Sequence, residues 1–236
     1  ATYDKHGNLY GGGIAFGVGY PTQVGHHYQV DYAGGSCDVA ISKFDSTGSQ
    51  LYYSTYLGGI AAECPHSMFV NENDELYVFG TTGSYTFPTT AQAYDNSFNG
   101  GVPVNVNNSV QFPNGTDIFI TKFSADGDSL LASTFIGGSS NDGLNTGSPL
   151  RKNYADESRG EIIVDEQSNV YVVSCTYSTD FPVTAGSFQI QNNGNKDGVV
   201  LKMDQSLSHL IWSSYIGGVG DEACYSMDLA SDNSIY

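Results

Sequence analysis

The phrase Ser54-Thr55-Tyr56-Leu57-Gly58-Gly59 returns as Ser133-Thr134-Phe135-Ile136-Gly137-Gly138 and again as Ser213-Ser214-Tyr215-Ile216-Gly217-Gly218. Gly58 to Gly137 spans 79 positions and Gly137 to Gly217 spans 80. A second marker keeps the same period. Asp38 to Phe44, Asp117 to Phe123 and Asp197 to Met203 each run from an aspartate through apolar residues to a lysine, and Lys43, Lys122 and Lys202 are again 79 and 80 apart. A chain that repeats at this interval is an array of like units, each burying its apolar faces against its neighbours.

Other pieces recur with slippage, and the slippage locates insertions. Gly7-Asn8-Leu9-Tyr10, Asp74-Glu75-Leu76-Tyr77, Ser168-Asn169-Val170-Tyr171 and Asn233-Ser234-Ile235-Tyr236 each follow a short apolar strand and a polar turn. Gly59 to Tyr77 and Gly218 to Tyr236 both span 18 positions, but Gly138 to Tyr171 spans 33, so residues of about 141–158 are an inserted loop. The stretch of about 97–112, rich in Asn, Gly and Val, reads as a second insertion. Within one unit four strands are expected, at Ser67 to Asn71, Glu75 to Thr82, Asp117 to Ser124 and Ser129 to Ile136, separated by Gly, Asn and Asp turns. Twenty-nine glycines and seventeen tyrosines suit twisted strands and tight corners. The expected class is all-β, a β-propeller of four-stranded antiparallel blades. The whole chain is then one repeat region, with blades at about 1–59, 60–138 and 139–218 and the start of another at 219–236. About three blades leave the ring incomplete. Ala1 aligns with Met68 inside a strand, so the propeller is expected to continue beyond both ends; the other reading is that copies complete one another.

With the lysine strand, the Ser-Thr-Tyr-Leu-Gly-Gly strand end, the Gly-Asn-x-Tyr hairpin and the segments Thr86 to Thr90 and Asp180 to Thr184 in view, the chain resembles a known family. These are the bacterial seven-bladed-type β-propeller repeat (SBBP repeat) proteins of secreted and cell-surface proteins in Bacteroidetes-like bacteria. The resemblance covers nearly all of the chain outside the insertions. It implies a propeller exported to the cell surface or beyond, with type nine secretion as a route, and it brings no shared enzymatic residues.

Twenty-five Asp and Glu against eight Lys and Arg give a net charge of −17, which repels a phosphate backbone and argues against nucleic acid as a partner. No apolar run of about eighteen residues exists, so no transmembrane segment is expected. Four cysteines are an even number, compatible with an oxidising compartment. Cys37 precedes a third strand and Cys64 opens the next blade; Cys175 ends a second strand and Cys224 opens the blade after it. The matching placement suggests disulfides Cys37 to Cys64 and Cys175 to Cys224.

Glu63, Asp142, Asp221 and Glu222 recur four or five residues after the glycine pairs and form a candidate cation site. Calcium is the ion that such oxygen-rich loops suit, although turn-forming acids belong at blade junctions anyway. His26 and His27, beside Asp31 in a Gly- and Tyr-rich loop, are candidates for ligand contact, as are the inserted aromatics Phe98, Phe112 and Tyr154. Tyr56, Tyr77, Phe135, Tyr171, Tyr215 and Trp212 are expected in the packing between blades. Asp45-Ser46-Thr47 and Asp128-Ser129-Leu130 match short O-glycosylation acceptor patterns at Ser46 and Ser129. No Gly-x-Ser-x-Gly elbow, His-Glu-x-x-His or phosphate loop occurs. The expected function is therefore a non-catalytic binding or scaffold propeller module of an exported surface or matrix protein, presenting its loops to protein or glycan. One alternative is a structural unit assembling with further copies; another is a carbohydrate-active propeller enzyme, which needs two converging carboxylates.

Overall fold

The strands of the repeat are apolar on both faces, so each is covered from both sides. In Leu76–Thr82, Leu76 and Val78 pack one way, Tyr77 and Phe79 pack the other, and all four are fully buried. The computed structural model describes residues 1–22, 24–106, 109–147 and 150–236, and only the backbone at position 154. It is all-β, with three four-stranded antiparallel sheets and one two-stranded sheet among the described residues.

The first sheet holds, in spatial order, β1 (Thr2–Tyr3), β2 (Leu9–Ala15), β3 (Asp38–Phe44) and β4 (Leu51–Leu57). The second begins with β5 (Glu63–Val70) and β6 (Leu76–Thr82). The chain then makes a separate hairpin, β7 (Val104–Val106) and β8 (Val110–Phe112), before completing the second sheet with β9 (Asp117–Phe123) and β10 (Leu130–Ile136). The third sheet is β11 (Glu161–Val164), β12 (Val170–Thr176), β13 (Asp197–Met203) and β14 (Leu210–Ile216). Past it, Leu229 bridges Ile235 in antiparallel fashion, which starts a further hairpin. The first strand of each later sheet lies on the sheet before it: β5 packs on β1, β2 and β3, and β11 packs on β5 and β6.

Two layers of core follow from this stacking. Tyr10, Val39, Ile41, Tyr53 and Leu57 of the first sheet close on Leu76, Val78, Phe119, Phe123 and Phe135 of the second. Tyr77, Phe79, Ile118, Ile120 and Ile136 close on Ile162, Val172, Val199, Leu201 and Tyr215 of the third. Each such side chain contributes about 1.5–3 kcal/mol on burial. Tyr56, Tyr77, Phe135, Tyr171 and Tyr215 are buried as their recurrence suggested, whereas Trp212 is only half-buried.

The signature residues have structural reasons. Lys43, Lys122 and Lys202 sit directly across from Tyr10, Tyr77 and Tyr171 in the strand register, with their amines 4.8, 5.4 and 4.6 Å from the ring centres. Each also faces an acid of the first hairpin, Asp4 at 3.6 Å, Glu75 at 2.7 Å and Asp165 at 3.3 Å. Thr55, Thr134 and Ser214 receive backbone N–H bonds from Gln29 at 2.8 Å, Asp95 at 3.0 Å and Gln189 at 2.9 Å, which seats the long loop before β3, β9 or β13 on the sheet's last strand.

The strands begin and end close to their expected places, with one difference: β5 starts at Glu63 rather than Ser67. Its backbone is recruited early because Glu63 donates its N–H to Cys37 O at 2.9 Å across the junction. The 97–112 stretch also differs from a plain loop, since it folds back as the β7–β8 hairpin and buries Val106, Val110 and Phe112 on Leu144 and Ala62. The 141–158 insertion contains a 3-10 turn, Tyr154–Glu157.

The first glycine of each pair has no room for a side chain. A Cβ on Gly137 would stand 2.7 Å from Asp142 Oδ2 and 2.9 Å from Asp117 Oδ1. Gly137→Ala is expected to destabilise the chain by about 1–3 kcal/mol through overpacking, measured by denaturant unfolding. Gly13→Ala, whose Cβ meets nothing within 4 Å, is the matched control.

Candidate ligand cleft between the two insertions

The two insertions meet at the junction of the second and third sheets, where a cleft of about 350 Å³ opens between them. Val102, Pro103 and Val104 of the first insertion form one wall. Ser140, Asn141 and Thr146 form another, and Tyr177 and Asn195, which flank β12 and β13, close the third side. Gly101 lets the walls approach, because a Cβ there would stand 2.7 Å from Asn141 N. The floor is tied across the junction: Tyr177 N–H donates to Asn141 O at 3.0 Å, and Ser140 N–H donates to Ser178 Oγ at 2.9 Å.

The lining is mainly neutral and rich in hydrogen-bonding groups. Tyr177 and Thr146 hydroxyls lie 3.3 Å apart. Burial raises the Tyr177 phenol above its ordinary pKa, so it stays a donor. Asn141 Oδ1 is buried with no hydrogen-bond partner, and Asn141 is 6% exposed. Nothing in residue type singles out Tyr177, Thr146 or Asn195: Thr146 lies inside the second insertion, Tyr177 directly follows β12 and Asn195 stands just before β13.

The residues marked by sequence fall elsewhere. Phe112 is fully buried in the hairpin core, and Phe98 is half-buried with its ring 6.0 Å from that of Phe135. Phe112 serves packing, because the first insertion needs a core of its own, and with no exposed surface it is corrected as a ligand contact; Phe98 packs on the core between the first and second sheets. The side chain of Tyr154 lies outside the described residues. His26 is exposed, 3.7 Å from Asp128 of the second sheet, and His27 is half-buried with Nδ1 unpartnered. Ser46 and Ser129 are both exposed in the turns before the last strands.

Glu63, Asp142 and Glu222 occupy equivalent corners, one per junction. Thr82 Oγ1 donates to Glu63 Oε1 at 2.7 Å, Gly138 N–H to Asp142 Oδ2 at 2.7 Å, and Gly218 N–H to Glu222 Oε2 at 2.9 Å. Thr176 Oγ1 also donates to Asp142. Asp221 receives Asn195 Nδ2 at 3.4 Å. These are bonds from N–H and O–H donors, the surroundings of an anion or an acid rather than of a cation. Among the described residues no group of three or more His, Cys, Asp or Glu is placed to hold a metal ion. The four cysteines stand as thiols, so neither expected bridge is formed here. Cys37 and Cys64 are nevertheless in hydrogen-bond contact, and Cys37 Sγ donates to Glu63 O at 3.3 Å. Cys175 and Cys224 are neighbours too.

Each corner carboxylate has a second acid beside it. Asp38 faces Glu63 and Asp117 faces Asp142, all four fully buried. Burial pushes Asp38 up to about 6 and Asp117 up to about 7 against backbone N–H bonds that pull the other way, and it pushes Glu63 and Asp142 well above the carboxylate range. Asp38 Oδ1 and Glu63 Oε2 have no hydrogen-bond partner, which a retained proton would supply.

Compared with models of protein families and with curated proteins, the chain matches none of either. No helix among the described residues is long and apolar enough to cross a membrane.

Raised carboxyl pKa values mean that the folded chain keeps protons the unfolded chain releases. Their contribution to stability is full below the ordinary carboxylate pKa and is lost as pH rises through about 6 to 7. Asp45 and Asp204, held down at about 2, act in the opposite sense at lower pH. Buried His66, held down at about 3, adds stability as pH rises to about 6.5 and nothing further above it. Thermal midpoints are therefore expected to fall from about pH 6.5 to 8, and Asp117→Asn should flatten the fall; a midpoint rising steadily from about pH 6.5 to 8 would contradict the assignment.

Proposed function

We propose that this chain is a non-catalytic β-propeller module of an exported surface or matrix protein, of the SBBP repeat kind, which holds a hydroxyl-rich ligand, a neutral glycan first, in the cleft between its insertions. The sheets are the blades, and β1, β5 and β11 are their inner strands. The observation that carries the reading is where the cleft forms: Val102, Pro103, Val104, Asn141 and Thr146 come from the two segments that depart from the repeat, and they meet Ser140, Tyr177 and Asn195 at the junction. Its lining of hydroxyls, amides and one tyrosine, with Val102 69% exposed at the rim, suits a sugar with polar edges and apolar faces. The carboxylate pairs Asp38 with Glu63 and Asp117 with Asp142 are fully buried, and no carboxylate is among the residues that line the cleft, which favours binding over glycoside hydrolysis.

A second reading, assembly with further repeat units, is favoured by the outer face of the third sheet. A hollow of about 440 Å³ there is lined by Phe188, Val200, Trp212 and Ile216. The matching residues of the first sheet, Ile41, Tyr53 and Leu57, are covered by the second sheet, and those of the second, Ile120, Ala132 and Ile136, are covered by the third. The hollow is therefore a sheet-packing face, of the shape that another sheet of this kind fills.

Titration calorimetry against a panel of neutral oligosaccharides tests the first reading. Binding that weakens about tenfold, or roughly 1.4 kcal/mol, in Tyr177→Ala and in Thr146→Val is the expected result. Binding indifferent to both substitutions would move the site away from the cleft, and no binding across the panel would turn the search to protein ligands.

A further inference from the structure

Lys196 occupies a position that the repeat fills with Cys37 in the first unit and Thr116 in the second: each passes its backbone carbonyl to the corner acid, at 2.8, 2.9 and 2.9 Å respectively. A lysine there is anomalous. Its side chain is fully buried, and the amine points at the carboxamide of Asn145, a residue of the second insertion that is itself 1% exposed. Lys43, Lys122 and Lys202 each face a carboxylate; Lys196 donates instead to Asn145 Oδ1. The opposite end of the same carboxamide is held as well, with Asn145 Nδ2 donating to Tyr225 Oη at 2.5 Å and to Asp156 O at 3.2 Å. Tyr225 in turn donates to Leu150 O at 3.2 Å.

We propose that Lys196 and Asn145 join in an intramolecular isopeptide bond. Three features of the pair support it: a primary amine in contact with an amide group, both shut off from water, and both fixed from several sides. Burial also pushes the Lys196 amine below its ordinary pKa, towards the neutral, nucleophilic form. In the reaction the Nζ lone pair attacks Asn145 Cγ, the Cγ–Nζ bond forms, and the Cγ–Nδ2 bond breaks. Nδ2 leaves as ammonia, taking one proton that Nζ gives up, so no oxidant or other reactant is required. Tyr225, bonded to the departing nitrogen, is a positioning residue. Tyr177 and Asp221 lie on the other side of the amine: from a Cβ position on Gly147, Tyr177 Oη is 3.3 Å, Asp221 Oδ2 is 3.1 Å and Lys196 Nζ is 3.6 Å.

The bond would close a covalent loop between positions 145 and 196, pinning the second insertion to the third sheet. Thr146 and Asn195, two residues that line the cleft, are the immediate chain neighbours of the joined pair. The proposal stands independently of what the cleft binds.

The intact mass of the purified chain decides it. Loss of ammonia leaves the chain about 17 Da below its sequence mass, and trypsin then releases a branched peptide joining residues 123–151 to residues 160–202, uncut at Lys196. Asn145→Asp should lose about 18 Da, as water, and Lys196→Met should show its full sequence mass. A native chain at full mass that trypsin cuts after Lys196 overturns the proposal. So does a 17 Da loss that persists in Lys196→Met, because that loss would belong to an asparagine cyclising on its own backbone.

Discussion

Each passage from one sheet to the next depends on a buried acid wedged against a glycine. Asp38, Asp117 and Asp197 open the third strand of their sheets, and the space beside each is open only because Gly58, Gly137 and Gly217 lack a side chain. The same acids hold the long preceding loops by their backbone: Ala33 N–H reaches Asp38 at 2.7 Å, Asn99 N–H reaches Asp117 at 2.7 Å, and Asn193 N–H reaches Asp197 at 3.0 Å. One carboxylate thus sets the loop, the corner and the entry of the next sheet. At the first two corners a second buried acid, Glu63 or Asp142, raises the electrostatic cost, and burial holds the carboxyls there above their ordinary range.

This constraint explains what the sequence displays. The Asp-to-Lys strand and the Ser-Thr-Tyr-Leu-Gly-Gly phrase recur at one interval because their residues answer to one another within a unit. The lysine needs the tyrosine across the strand, the glycine needs the aspartate, and the hydroxyl needs the loop. All-β class, antiparallel sheets and most of the aromatic core were legible for that reason, since periodicity records packing directly. How neighbouring sheets are rotated against one another is not written in this way, because it depends on small shifts in packing rather than on any residue type.

The site was legible in place but not in residues. Aromatics inside insertions look like ligand platforms, yet Phe112 is spent on giving the first insertion a core, and Phe98 packs on Phe135 of the second sheet. An inserted hairpin of three-residue strands cannot stay folded in water without such packing. The acids after the glycine pairs stood out as a candidate cation site because their spacing is regular. At the corners they accept hydrogen bonds: Glu63 from Thr82, Asp142 from Gly138 N–H and Thr176, and Glu222 from Gly218 N–H.

Function in such an array belongs where the repeat departs from itself. A position shared by all units is already engaged by a neighbouring sheet and has little left for a ligand. Both insertions line the cleft between the second and third sheets, and at the corner beyond the third sheet the equivalent of Cys37 and Thr116 is a lysine that faces Asn145 of the second insertion. Loops carry much entropy, and a binding wall made from them loses affinity to the cost of ordering it. Packing, the bonds from Tyr177 and Ser140 across the junction, and the contact between Lys196 and Asn145 all act against that cost. The repeat supplies rigidity, and the departures from it use that rigidity to hold a shaped, polar cleft open.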